Sequence, residues 1–162
     1  MRFETPAKLN LSLLVGERDQ SGMHPLQSVI QAIGWCDTLE IERGDADELT
    51  STGLEVPEGY ENLAVRAVEA MRERLSVPPL RIGLAKSIPL EAGLGGGSSD
   101  AAAALVAVCD LVGADRNVAR SVAPDVGADV TFFLRGGSAT MSGYGERIEQ
   151  MDPLSGFSVA VV

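Results

Sequence analysis

Residues 93–101 read GLGGGSSDA: four glycines, two serines and an aspartate, followed at once by the apolar run AAAALVAV at 101–108. A helix beginning here would expose unpaired N–H groups and carry partial positive charge at its first turn. Glycines ahead of it let the backbone close tightly around a ligand with no Cβ in the way. The combination predicts an anion site suited to phosphate. Ser98 and Ser99 could cap the helix, bind a phosphate oxygen or hold Mg²⁺ through a hydroxyl. The stretch is not a Walker A loop, because no lysine precedes either serine. It is not a Rossmann loop either, since Ser98 stands where the third glycine belongs. The bland alternative is a surface turn before a helix.

Outward from the loop, LRIGLAKSI (80–88) predicts a strand ending at Pro89, and the helix that follows should run from about Ser98 to Val112 and stop at Gly113. Upstream, NLAVRAVEAMRERL (62–75) repeats Leu63, Ala67 and Met71 at helical spacing and is closed by Pro78 and Pro79. AKLNLSLLV (7–15) alternates Leu9, Leu11, Leu13 and Val15 with Lys8, Asn10 and Ser12. That period predicts a strand with one apolar face, with Lys8 and Asn10 together on the other. Residues 16–24 read as a polar loop, 25–35 as mixed and 37–43 as a strand, while 44–59 form an acidic, turn-rich surface hairpin and loop. Downstream, RNVARSVA (116–123) is a short helix stopped by Pro124. SATMSGYGERIEQM (138–151) reads as two short strands about a Gly-Tyr-Gly turn, and FSVAVV (157–162) begins another. Strands alternating with helices in this way make an α+β domain.

The 162 residues suffice for one domain with a real core, and with aromatics at 4% that core must be aliphatic. Lysine plus arginine total 13 against 23 acidic residues, a net charge of −10. This excludes a nucleic-acid module, which needs a basic face, but not a local pocket for a small anion. No apolar run approaches the ~18 residues of a membrane span. Cys36 and Cys109 match no metal or redox spacing and read as reduced, buried thiols of a cytoplasmic protein.

Three polar residues stand out individually. Lys8 is either a solvated strand residue or a cation for phosphate or a hydroxyl. Asp129, between GA and VTFF, is either a helix cap or a half-buried carboxylate able to take a proton from an alcohol, with Asp125 as its competitor. His24, the only histidine, lies in the polar loop and is either merely exposed or a ligand-reading group. A site built on several histidines is excluded.

PAKLNLSL (6–13), SIPLEAGLGGGSSDAAAAL (87–105) and VGADVTFFLRGGSATMSGYGERI (126–148) together resemble the GHMP kinase superfamily, in the family's order. GMHPLQSV (22–29) and ENLAVRA (61–67) extend the likeness toward its members that act on a cytidine-diphosphate-linked methylerythritol in non-mevalonate isoprenoid biosynthesis. The resemblance implies a mixed sheet with helices packed on one side and an ATP-dependent phosphotransferase with an alcohol acceptor. It implies that Pro89, Leu90, Glu91, Ala92, Gly93, Leu94, Gly95, Gly96, Gly97, Ser98 and Ser99 wrap the phosphates of ATP, with Mg²⁺ accompanying them. It further implies Asp129 as general base with Lys8 beside it, Asn10 on the substrate, His24 at the cytosine edge with Met23 before it, and Asn62 and Lys86 near the nucleotide. Met23 departs from the family, which has an aromatic residue there; a thioether packs on a ring with less geometric control. Another GHMP kinase with a different alcohol is therefore an alternative. The family's enzymes continue into a second domain, so residues 1–162 are expected to be an amino-terminal, ATP-binding domain without its carboxy-terminal partner. Alone, such a domain is expected to be inactive, or to be a binding domain only, and to dimerise through the uncovered surface.

Overall fold

The structure is a computed structural model and describes residues 1–19, 22–152 and 154–161. Six strands form one sheet: β1 Arg2–Val15, β2 Leu26–Arg43, β3 Glu48–Gly53, β4 Leu80–Lys86, β5 Ser138–Gly143 and β6 Arg147–Gln150. The order is β3-β4-β2-β5-β6, with β1 also paired to β2. All ladders are antiparallel except β3 with β4. The helices are α1 Leu63–Arg72, α2 Gly96–Val112, α3 Asn117–Val126 and the single turn α4 Val130–Phe133.

The inward positions of β4 follow its period: Leu80, Ile82 and Leu84 are buried, whereas Arg81 and Ala85 are exposed. Together with Leu39 and Ile41 of β2 they meet α1, α2 and α3 in the main core. Helix α2 lies at its centre, touching α1, α3, α4, β1 and β2. Its buried face is mostly alanine (Ala101, Ala102, Ala104 and Ala107), with Leu105 and Val108. Small side chains let α2 approach its neighbours closely while still removing apolar surface from water. Gly113 ends the helix in the left-handed conformation, φ 70°. Asn62 caps α1 by accepting from the Ala64 amide at 3.0 Å.

Several sequence expectations change. The segments 25–35 and 37–43 are one strand, β2, which bulges against β1 at Gly34–Trp35 and exchanges β5 for β4 along the same edge. The acidic stretch at 44–59 is not a hairpin. Its β3 pairs parallel with β4, and α1 supplies the crossover that parallel pairing requires. Helix α3 continues through Pro124 to Val126, since the carbonyl that proline leaves unpaired, that of Arg120, is on an exposed residue. Residues 157–161 are not a strand, and no described strand offers them a ladder; residue 162 of that run, like 20–21 of the polar loop, lies outside the described residues.

The largest change concerns β1. Its polar row faces inward at Lys8, which is 7% exposed, while Leu11, Leu13 and Val15 of the apolar row are 45–60% exposed. The register shifts at Leu11, and from that bulge to Val15 every residue of β1 is exposed. Both cysteines are free, Cys109 buried and Cys36 half-buried, and burial pushes both thiols up.

Candidate active site

The glycine-rich segment closes over the open end of the sheet, between β4 and α2. Asp37 at the far side of β2 accepts from the amides of Ser87 at 2.6 Å and Ile88 at 2.8 Å, which fixes the segment's start. The Lys8 amide donates to the Leu94 carbonyl at 2.8 Å, which ties its middle to β1. Leu94 is buried; Leu90, Glu91, Ala92 and Gly93 are exposed. Gly95 is the N-cap of α2, with φ 70°. A Cβ there would stand 2.9 Å from the Phe133 ring and 3.0 Å from Lys8 Cγ, so glycine is required both for conformation and for space. The amides of Gly96, Gly97 and Ser98 then occupy the first turn of α2, where a helix supplies no acceptor.

These elements wall a cleft of about 360 Å³, lined by Lys8, Val56, Pro57, Glu61, Asn62, Leu63, Leu84, residues 89–98 and Asp129, with Lys86 and Asp100 beneath. Of the two serines, Ser98 lines the cleft and Ser99 is buried. Lys8 Nζ lies 3.3 Å from Asp129 Oδ2. The same ammonium donates to Asn10 Oδ1 at 2.6 Å, Asn10 donates to Ser28 Oγ at 2.6 Å, and Ser28 donates to the Ser12 carbonyl at 2.7 Å. This chain of bonds orients the lysine from one side and leaves Asp129 half-exposed to the cleft. Asp129 opens α4 without capping it, so its oxygens are not spent on backbone amides. Asp125 lies elsewhere, exposed at the end of α3 in a groove with Tyr60 and Arg72.

The structure thus brings Lys8, Asn10, Asp129, Asn62 and the glycine segment together. Asn62 is committed locally, capping α1 and donating to the Pro57 carbonyl at 3.3 Å. Lys86 is buried under the loop, its side chain 1% exposed. Met23 and His24 do not line the cleft. They are exposed at the tip of the β1–β2 ribbon, where His24 Nδ1 lies 3.0 Å from the Gly16 carbonyl. Tyr144, in the β5–β6 turn, donates from its hydroxyl to Asp19 Oδ2 in that ribbon.

Sequence reasoning missed Thr5, Asp37 and Asp100. Lys86 Nζ donates to Asp37 Oδ2 at 2.6 Å and to Asp100 Oδ2 at 2.8 Å; Thr5 donates to Asp100 Oδ1 at 2.6 Å. A signal was present: Lys86 is in phase with Leu80, Ile82 and Leu84, and Asp37 with Leu39 and Ile41. A charge on a core-facing position requires a partner. Burial raises the Asp100 carboxyl above its ordinary value, opposed by Lys86 and by the Thr5 hydroxyl.

Among the described residues no three His, Cys, Asp or Glu side chains cluster to hold a metal. A magnesium ion arriving with a polyphosphate needs only one or two protein oxygens, and Ser98 and Asp129 offer these at the cleft.

Residues 62–137 match the family model described as the GHMP kinases N terminal domain. The chain is 42% identical, over 96% of its length, to 4-diphosphocytidyl-2-C-methyl-D-erythritol kinase of Variovorax paradoxus (strain S110), and covers 54% of that protein. A crystal structure of 4-(cytidine 5'-diphospho)-2C-methyl-D-erythritol kinase aligns with a TM-score of 0.76 and 40% identity, over 96% of this chain and 55% of that one. The mevalonate kinase of Methanococcus jannaschii shares the fold, with a TM-score of 0.67 at 16% identity over 94% of this chain and 56% of that one. The chain therefore spans about half the length of the relatives it matches. With the mixed sheet, the helices on its core face and the glycine segment opening α2, the chain has the fold of the GHMP kinase amino-terminal domain, and its residues 62–137 carry that domain's match.

Proposed function

We propose that this chain is the ATP-binding, amino-terminal half of an ATP-dependent kinase that phosphorylates the 2-hydroxyl of 4-diphosphocytidyl-2-C-methyl-D-erythritol. The observation that carries the reading is the Lys8–Asp129 pair, 3.3 Å apart, on the wall of a cleft whose other wall is the first turn of α2. Relatives of that name at 40–44% identity support the choice of acceptor.

In this reading the amides of Gly96, Gly97 and Ser98 hold phosphate oxygens, with the positive end of α2 behind them. Magnesium would enter with ATP and neutralise phosphate charge, held in part by Ser98. Asp129 takes the proton of the acceptor hydroxyl as that oxygen bonds to the terminal phosphorus and ADP departs. Lys8, 3.3 Å from that carboxylate, lies close enough to polarise the hydroxyl. Asn10 holds Lys8 and contacts the substrate. Positioning and charge neutralisation suffice for phosphoryl transfer, and no covalent intermediate is called for. His24, with Met23, reads the cytosine from the ribbon tip.

The active unit includes a second domain, which the relatives' additional length would supply. Leu11, Leu13, Leu14 and Val15, all 45–69% exposed, are the surface it would cover, and unpaired they would favour self-association. The unpaired cysteines fit a cytoplasmic setting, and no described helix is long and apolar enough to cross a membrane.

Met23 favours a second reading, a GHMP kinase for another alcohol. ADP release with Mg-ATP, measured against the cytidyl alcohol, mevalonate, galactose and homoserine, separates the two. Turnover confined to the cytidyl alcohol supports the first reading; turnover confined to another alcohol replaces it.

A further inference from the structure

Directly beneath the glycine segment lies an ion network that the chemistry above does not use. Lys86, Asp37 and Asp100 are 3%, 1% and 2% exposed, and Thr5 is 1% exposed. Each comes from a different element: Thr5 from β1, Asp37 from β2, Lys86 from β4 and Asp100 from the second turn of α2. Two acidic side chains and one lysine thus meet in the core. Such groups are expensive to bury and are replaceable by apolar residues without loss of stability in other folds, so stability alone does not account for them.

Their geometry supplies a different account. Asp37 uses one oxygen for the Ser87 and Ile88 amides, where the glycine segment leaves β4, and the other for Lys86. Asp100 uses one oxygen for Lys86 and the other for Thr5. Lys86 thus links the start of the segment to the helix that ends it. The backbone of Gly96 packs onto that link: a Cβ on Gly96 would lie 2.9 Å from Lys86 Nζ, 3.0 Å from Ile88 Cγ2 and 3.1 Å from Asp37 Oδ2.

We infer that Asp37, Lys86 and Asp100 are positioning residues that set the spacing between the two ends of the glycine segment, and so the register of the amides that receive phosphate. Lys86 acts from below the loop, through Gly96, and does not touch the nucleotide. The inference rests on the reading of the cleft as an ATP site.

The test titrates Mg-ATP calorimetrically into the chain and its Asp100→Asn, Asp37→Asn and Thr5→Val variants, and follows amide hydrogen exchange. Asp100→Asn and Asp37→Asn should weaken Mg-ATP about tenfold, the scale of one charged hydrogen bond. Exchange should quicken at residues 93–98 and stay unchanged at 64–71 in α1. Thr5→Val leaves all three charges in place, and should shift both readouts the same way by a smaller factor; it decides the matter if the charge variants do not fold. Parent and folded variants that bind Mg-ATP equally, with equal loop exchange, overturn the inference and leave the ATP reading intact. A parent that does not bind Mg-ATP overturns the ATP reading, and this inference with it.

Discussion

Lys8 and Asp129 stand 121 residues apart in the sequence, and Nζ and Oδ2 lie 3.3 Å apart in the fold. Lys8 is delivered by β1, Asp129 by the loop before α4, and Phe133 of α4 packs against Gly95 at the start of α2. One short segment therefore sets both the candidate base and the seat of the phosphate loop. An Asn10→Ala variant, which frees the Lys8 ammonium from its 2.6 Å acceptor, should lower turnover more than it lowers Mg-ATP affinity. Steady-state kinetics alongside a binding isotherm checks this, and equal loss in both would place Asn10 in nucleotide binding instead.

The two adjacent glycines at 96 and 97 should respond differently to alanine. The Gly96 Cβ would press on Lys86, Ile88 and Asp37, whereas that of Gly97 would meet the Leu63 side chain at ordinary contact distance, 3.5 Å from Cδ1 and 3.9 Å from Cγ. Overpacking of this kind costs about 1–3 kcal/mol, more than the ~1 kcal/mol that alanine gains over glycine in a helix. Denaturant unfolding should show Gly96→Ala less stable than the parent and Gly97→Ala equal to it or more stable.

Asn62→Ala removes the cap of α1 and the bond to the Pro57 carbonyl. The loss should be about 1 kcal/mol, read as a lower denaturation midpoint at an unchanged slope. An unchanged midpoint would mean that the Ala64 amide finds water as readily.

The carboxyl of Asp100 gives stability a pH dependence of defined sign. Burial raises it above 3.8, faced by Lys86 from β4, Asp37 from β2 and the Thr5 hydroxyl from β1. A raised acid binds its proton more tightly folded than unfolded. Its contribution is therefore complete below the ordinary carboxylate value and is lost as pH rises through the folded value. Relative to Asp100→Asn, the parent should lose stability as pH climbs above about 4, then level off; parallel curves at every pH would contradict the assignment.

Much of this was legible before any coordinates. The period of β4, the glycine stop at 113 and the strands about the Gly-Tyr-Gly turn all follow from local rules. The orientation of β1 did not, because a bulge at Leu11 and the exposure of Leu11, Leu13 and Val15 beyond the core are tertiary facts. A row of leucines is apolar whichever layer covers it. Proline at 124 misled for a similar reason, since a lost hydrogen bond matters less where the carbonyl belongs to an exposed residue, here Arg120. The Asp37–Lys86–Asp100 network was written in the sequence as charges in phase with buried neighbours, but its partners come from separate elements that only the fold brings together.

The most direct measurement is ADP release with Mg-ATP and 4-diphosphocytidyl-2-C-methyl-D-erythritol, comparing the parent with Asp129→Asn in a polypeptide of the relatives' full length that carries this chain. General-base catalysis is worth about 10²–10⁴-fold. Turnover should fall by at least about 10²-fold while Mg-ATP affinity stays within about twofold of the parent. Near-parental turnover in Asp129→Asn would contradict the account at its centre, leaving the cleft a nucleotide site whose chemistry lies with other residues.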